Sequence, residues 1–264
     1  MILRFYKYQG TGNDFVIIDN RGNLLSRSNK DIVAHLCNRK FGIGADGLML
    51  LQNKEGYDFE MIYYNADGNE SSMCGNGGRA IIAFAKRIGL IADKGKFLAI
   101  DGEHEAKIIK SESPNVMVSL KMIDVREAEI NPDFYYLNTG SPHYVIFRNN
   151  VSKIDVYTEG KQIRNSNRFA KEGTNVNFVE IAGKELIVRT YERGVENETL
   201  SCGTGVTAAA LCAALRSNGQ VNYYDIQTPG GQLKVKFKNL GNGQFSNIWL
   251  EGNTTFVFKG EIEI

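Results

Sequence analysis

Ser201-Cys202-Gly203-Thr204-Gly205 runs straight into Val206-Thr207-Ala208-Ala209-Ala210-Leu211-Cys212-Ala213-Ala214-Leu215. The same plan stands earlier, where Met73-Cys74-Gly75-Asn76-Gly77-Gly78-Arg79 leads into Ala80-Ile81-Ile82-Ala83-Phe84-Ala85. Each reads as Cys-Gly-x-Gly at the mouth of a helix. Residues 80–85 are apolar at every position, and 206–215 are interrupted only by Thr207. A helix that is apolar all round is buried all round. No apolar run in the sequence approaches the roughly 20 residues of a membrane span, so the wrapping must come from the rest of the chain, which reads mostly as strands. The expectation is an α/β (α+β) fold. It has two pseudo-symmetric domains, each a curved mixed sheet rolled around one buried central helix, with both Cys-bearing helix mouths at the domain interface.

Working outward, residues 4–7 and 15–19 read as strands joined by the Gly- and Asn-rich turn Gln9-Gly10-Thr11-Gly12-Asn13-Asp14. Ser28, with Asp31 three residues on, predicts a capped helix over 32–39. Short strands are expected at 48–52, 58–65, 96–101, 105–111 and 116–120. After Pro132 the pattern restarts, with a polar helix near 154–165 and strands at 177–181 and 186–191. The repeat extends to Thr11-Gly12-Asn13-Asp14-Phe15-Val16 and Thr174-Asn175-Val176-Asn177-Phe178-Val179, which share Thr, two residues, Asp or Asn, Phe, Val. Cys37 and Cys212 read as core thiols, His35 as a helix residue and His104 as part of a polar turn.

Composition excludes several classes of function. A net charge of +1 over 264 residues gives no footprint for nucleic acid or an anionic membrane. Four cysteines are too few for a disulfide scaffold and point to a reducing cytoplasm. Met1-Ile2-Leu3-Arg4-Phe5-Tyr6-Lys7 alternates like a strand and lacks the apolar core of a signal peptide.

A lone Cys at a helix start is more often an inert small core residue than a catalyst. Two in matching contexts reverse that weighting. The positive end of a helix lowers a thiol's pKa, and glycines let an anion approach the open amides. Two activated thiols beside a bound α-carboxylate suit inversion at Cα, which needs a base on one face and an acid on the other. Holding the carboxylate at two helix N-termini also stabilises the charge that grows as the Cα proton leaves. Gly75-x-Gly77 and Gly203-x-Gly205 lack the third small residue of a dinucleotide fingerprint. Neither Cys motif has the paired spacing of a zinc or thioredoxin site. No cofactor and no metal are therefore expected.

Gly12-Asn13-Asp14-Phe15, Asn65-Ala66-Asp67-Gly68, the Cys74 block, Gly140-Ser141-Pro142-His143, Tyr191-Glu192-Arg193-Gly194 and Cys202-Gly203-Thr204-Gly205 resemble, in order, the signature blocks of the diaminopimelate epimerase family. They span nearly the whole chain. The resemblance implies a first domain of residues 1–118 completed by a returning strand at 253–264, and a second of residues 119–252. It implies interconversion of LL- and meso-diaminopimelate without cofactor or metal, on the route to lysine and peptidoglycan. The enzyme would be a cytoplasmic homodimer that binds neither nucleic acid nor membrane.

Carried over by position, Cys74 and Cys202 would be the acid/base pair. Gly75, Asn76, Gly203 and Thr204 would hold the reacting carboxylate. Asn13, Asn65, Asn175 and Arg193 would read the distal amino-acid end, the Arg193 guanidinium suiting a carboxylate. His143 and Glu192 would sit near the reacting centre, against the substrate ammonium or the thiols. Many family members carry Gln where this chain has Gly47 and Asn where it has Ser141. Gly47 offers no side chain, so that contact would be lost or replaced by water or backbone, while Ser141 can still donate or accept one bond. Arg79 reads equally as substrate-facing or as half of an ion pair. The alternative reading is a proline racemase-like isomerase, which shares the two-cysteine plan but needs no Arg193-type clamp. A metal or redox protein is the rival from another class.

Overall fold

Alternation at the start of the chain, with Leu3 and Phe5 buried between exposed Ile2 and Arg4, makes strand β1 (Ile2–Gly10). The chain turns through Thr11 and Gly12, both at positive φ, into β2 (Asn13–Asp19). A short outer helix α1 (Lys30–Cys37) leads to β3 (Gly47–Gln52) and β4 (Phe59–Asn65). Next come the helix α2 (Gly75–Arg87) and strands β5 (Lys94–Ala99), β6 (Gly102–Glu112) and β7 (Asn115–Lys121). The computed structural model describes residues 1–71, 74–217 and 221–264, so Met73, at the head of the first motif, lies outside the described residues.

The chain divides into two units, Met1–Leu120 with Gly252–Ile264, and Lys121–Glu251. In the first, strands follow the order β1-β2-β3-β4-β5-β6-β7. The later part of the twenty-residue strand β16 (Gln244–Glu263) pairs with β7 on one side and β1 on the other, which closes the sheet into a ring. α2 lies against β1, β2, β3 and β6. Every residue from Gly75 through Ala85 is buried, and each of Ile81, Ile82 and Phe84 gains about 1.5–3 kcal/mol from burial. That burial forms the helix despite a first turn of Gly, Asn, Gly, Gly, which has poor intrinsic propensity.

The second unit contains β8 (Glu129–Ile130), β9 (Tyr135–Asn138), β10 (Pro142–Phe147), helix α3 (Val156–Arg164), β11 (Asn175–Ala182), β12 (Glu185–Glu192) and β13 (Asn197–Thr199). Helix α4 (Gly203–Arg216), β14 (Tyr223–Thr228) and β15 (Gly231–Gly241) follow. Its sheet runs β8-β9-β10-β11-β12-β14-β15 and ends on the first part of β16, with β13 beside β12. α4 touches β9, β10, β11, β12, β14 and β15, so this sheet also wraps one apolar helix.

The duplication is visible in the pairing rules. β2–β3 and β4–β5 are parallel in the first unit, as β10–β11 and β12–β14 are in the second. The counterpart of β11 is therefore β3, and that of β2 is β10. The hexamer match of 11–16 with 174–179 joins strands that are not equivalent, so it does not mark the repeat. In the true register Phe15 pairs with Gly47 and His143 with Asn175. Local expectations also shift. Asn29, not Ser28, precedes α1 and makes no side-chain cap, because the Ser28 hydroxyl is engaged with Ser26. His104 lies buried in β6, stacked on Phe97 and bonded to Asp101 at 3.0 Å, rather than in a turn.

Candidate active site

Cys74 and Cys202 are the residues immediately before α2 and α4, both extended, and neither helix has a side-chain cap or an acid in its first turn. The first intrahelical bonds run from Gly78 N to Cys74 O at 2.8 Å and from Val206 N to Cys202 O at 2.9 Å. The amides of residues 75–77 and 203–205 thus have no acceptor within their helices, which is the condition for an anion to bind there. Gly205 is required at this turn, since a Cβ would collide with Asn177 Oδ1 and lie 3.3 Å from Cys202 Sγ.

In the first unit the thiol faces Asn13. Asp46 Oδ2 accepts from Asn13 Nδ2 at 2.7 Å, and a carboxylate can only accept, so the amide oxygen is the end that faces Cys74 Sγ at 3.6 Å. Asp46 and Asp14 are themselves held by Arg39, and Asp14 pairs with Lys7. Asn76 is buried, and its Oδ1 accepts from Arg79 Nη2 at 2.9 Å and from the Thr11 hydroxyl at 3.2 Å. Asn65 ends β4 exposed, opposite Gly47 in β3. A side chain at Gly47 has no room, because its Cβ would lie 2.8 Å from the Tyr63 hydroxyl oxygen. Of the expected alternatives, loss of the contact fits, since the Tyr63 ring fills the space beside Gly47.

In the second unit a string of polar groups runs from the sheet to Cys202. Asn177 Nδ2 donates to Tyr144 O at 3.0 Å and to His143 Nδ1 at 3.1 Å. Burial, and next the positive charge of Arg193, push His143 down to about 3, so the fully buried ring is neutral at ordinary pH. With Nδ1 accepting, Nε2 carries the hydrogen and donates to Ser141 Oγ at 3.1 Å. Asn175 Nδ2 also donates to Ser141 Oγ at 3.0 Å, its orientation set by Arg193 N donating to Asn175 Oδ1 at 2.8 Å. With both its lone pairs engaged, the Ser141 hydroxyl donates to Thr204 Oγ1 at 3.2 Å. Thr204 in turn is left to donate to Cys202 Sγ at 3.4 Å. Thr139 steadies the same turn by donating to Thr204 O at 2.8 Å.

Nearby, Glu192 accepts from Thr199 at 2.9 Å, and the exposed Arg193 side chain donates to Glu172 O at 2.9 Å. The structure thus gathers Asn13, Asn76 and Cys74 at one helix mouth, and Ser141, His143, Asn175, Cys202 and Thr204 at the other. Asn65 and Glu192 are joined to neither cysteine by the bonds described. Thr11, Tyr63, Thr139 and Asn177 enter only through tertiary contacts; of these, Thr11 and Asn177 had a sequence signal, in the two matched hexamers. Cys37 and Cys212 are buried, and burial pushes the Cys37 thiol up to about 12 and Cys212 well above its usual value, as inert core thiols require. Among the described residues no three His, Cys, Asp or Glu side chains converge as a metal site, and no helix is long and apolar enough to cross a membrane.

Among solved structures, a phenazine biosynthesis protein of the PhzF family from Bacillus anthracis shares the fold with a TM-score of 0.76 at 14% identity, over 100% of both chains. A probable proline racemase from Agrobacterium radiobacter K84 does so with a TM-score of 0.72 at 12% identity, over 99% of this chain and 93% of that one. A protein from Flavobacterium psychrophilum named diaminopimelate epimerase is 49% identical over 98% of this chain and 100% of its own. The family model described as diaminopimelate epimerase matches residues 5–122 and 135–257, the two halves between them covering most of the sequence. With its blocks in order and both helix-mouth cysteines in place, the chain belongs to the diaminopimelate epimerase family.

Proposed function

We propose that this chain interconverts LL- and meso-2,6-diaminopimelate without cofactor or metal, by a thiolate/thiol relay between Cys74 and Cys202. One sulfur removes the Cα proton as the other delivers a proton to the opposite face, and the roles exchange in reverse. The amides of Gly75, Asn76, Gly203 and Thr204 hold the reacting carboxylate and stabilise the charge that develops on it. Asn13, Asn65, Asn175 and Arg193 select the distal amino-acid group, and Glu192 meets the substrate ammonium. His143, whose ring nitrogens are both engaged, serves through Ser141 and Thr204 rather than by touching substrate. The product feeds lysine and peptidoglycan precursor synthesis in the cytoplasm, and the working enzyme is a homodimer.

The observation that carries this reading is the matched pair of uncapped, acid-free helix starts, each preceded by a cysteine. The test is incubation with LL-diaminopimelate in D2O, following the α-proton signal by NMR. Loss of that signal in the wild type, and its persistence in Cys74→Ser and Cys202→Ser, is the expected result. Exchange at near-normal rate in either variant overturns the relay. Unchanged substrate in the wild type, with turnover of proline instead, moves the assignment to the racemase alternative.

A further inference from the structure

Arg79 is 0% exposed, yet none of its partners carries a negative charge. Its Nη1 donates to Gly75 O at 3.2 Å, and its Nη2 to Asn76 Oδ1 at 2.9 Å and Thr11 Oγ1 at 3.2 Å. Its Nε meets no acceptor among the described residues. Of the other arginines of the same unit, Arg4 has Glu261, Arg21 has Asp19, Arg27 has Glu70 and Arg39 has Asp14, while Arg87 donates to the Tyr8 hydroxyl at 3.0 Å and lies over the Phe256 ring. A guanidinium removed from water without a counter-charge is costly, and a fold keeps one where an anion is held or formed nearby. The group is pinned against the first turn of α2, which carries no acid.

We propose that Arg79 is the fixed counter-charge of Cys74: a positioning residue that stabilises the thiolate when the sulfur gives up its proton. This rests on Cys74 being an acid/base group of the reaction. Three observations favour the sulfur as the anion served. Gly75 O, which accepts from Arg79, belongs to the residue directly after Cys74. The charges joined to the thiol through Asn13, Asp14 and Asp46 with Lys7 and Arg39, sum to zero. Burial pushes Arg79 down to about 10, still charged at neutral pH, and an ionised Cys74 acts in the opposite direction to hold that charge in place. The 3.6 Å contact to Asn13 Oδ1 suits the thiol form; the guanidinium lowers the cost of leaving it. The second unit has no such device. The residue five beyond Cys202 is Thr207, whose hydroxyl donates to Gly203 O at 2.9 Å and so satisfies the equivalent carbonyl without a charge.

The test reads each thiol directly. Intact enzyme is alkylated with iodoacetamide across a pH series, and the Cys74 and Cys202 peptides are quantified by mass spectrometry. Three variants are compared with wild type. Arg79→Met removes the charge, Arg79→Lys keeps it, and Thr11→Asp supplies a carboxylate at 3.2 Å from Nη2 in a backbone conformation that Asp tolerates, Thr11 having φ 49. The expected result is a Cys74 midpoint raised by about one to three pH units in Arg79→Met and Thr11→Asp, and by less than half as much in Arg79→Lys. If Arg79→Met does not fold, Thr11→Asp decides alone. A Cys74 midpoint unchanged in a folded Arg79→Met or Thr11→Asp protein overturns the proposal, including the case in which only KM rises. Such a failure with turnover still lost in Cys74→Ser sinks the role of Arg79 alone. Full turnover in Cys74→Ser sinks the role of Cys74 itself.

Discussion

The mouths of α2 and α4 are built from one repeated plan and prepared by different physics. At the first turn that follows Cys74 stands a sealed positive charge, Arg79, while the thiol faces the Asn13 amide oxygen. Behind Cys202 stands a neutral, one-directional string of hydrogen bonds that starts at Asn177 and ends on the sulfur. A buried charge acts through space and survives small shifts in geometry, whereas a string of hydrogen bonds fails at its weakest link. The lesson is that duplication preserved the helix start and the cysteine, and left the surroundings of the two sulfurs free to diverge. In the proposed relay the two sulfurs need similar proton affinities, but they need not reach them by the same means.

The comparison breaks first at the sulfurs. Cys74→Ser and Cys202→Ser should each cut turnover by at least about 100-fold, measured as initial rate of α-proton exchange; a large loss in only one would mean that the halves are not partners. The string behind Cys202 is tested by Ser141→Ala, which severs its middle link. Turnover should fall about tenfold, with the Cys202 alkylation midpoint raised and the Cys74 midpoint held. Equal movement of both would erase the distinction drawn here.

The acid limb of stability separates the units as well. His143 is neutral in the fold down to about pH 3, whereas in the unfolded chain it takes up a proton near its ordinary value of about 6.5. Below that value the unfolded state binds the extra proton, so this contribution is complete above about pH 6.5 and is lost as pH falls toward 3. Urea unfolding at about pH 7.5 and 4.5 should show wild type losing on the order of 2–3 kcal/mol more than His143→Gln. Phe15, its counterpart in the first unit, adds nothing to this slope. The smallest effect belongs to Thr207→Val, a near-isosteric change that frees Gly203 O. It should cost about 1 kcal/mol in thermal or urea unfolding and leave the Cys202 midpoint in place; a shifted midpoint would show that Thr207 does part of what Arg79 does.

The features legible in the sequence are those decided locally. Residues 80–85 and 206–215 are apolar on every side, and a helix of that kind dictates its own enclosure by strands. The cysteines precede glycine-rich first turns, so their placement at uncapped helix starts also follows from neighbours in the chain. What escaped depends on pairing across the sheet. The match of 11–16 with 174–179 looks persuasive as text, yet strand register is set by partners tens of residues away, and it pairs Phe15 with Gly47 and His143 with Asn175 instead. Tyr63 filling the space beside Gly47, and Asn177 orienting His143, are likewise consequences of neighbouring strands. Ser28 failed as a cap because a closer hydroxyl, that of Ser26, claimed it.

β16 finally bears on how the molecule is made. Residues 252–264 close the ring of the first unit between β7 and β1, yet they are synthesised more than 100 residues after β7 ends. Until they emerge, the nascent first half carries two bare strand edges, the condition under which chains stick to one another. The ribosome therefore delivers the stave that seals the front of the molecule only after nearly all of the back has been written. For about half of translation, from residue 121 to residue 252, both edges wait for their partner strand.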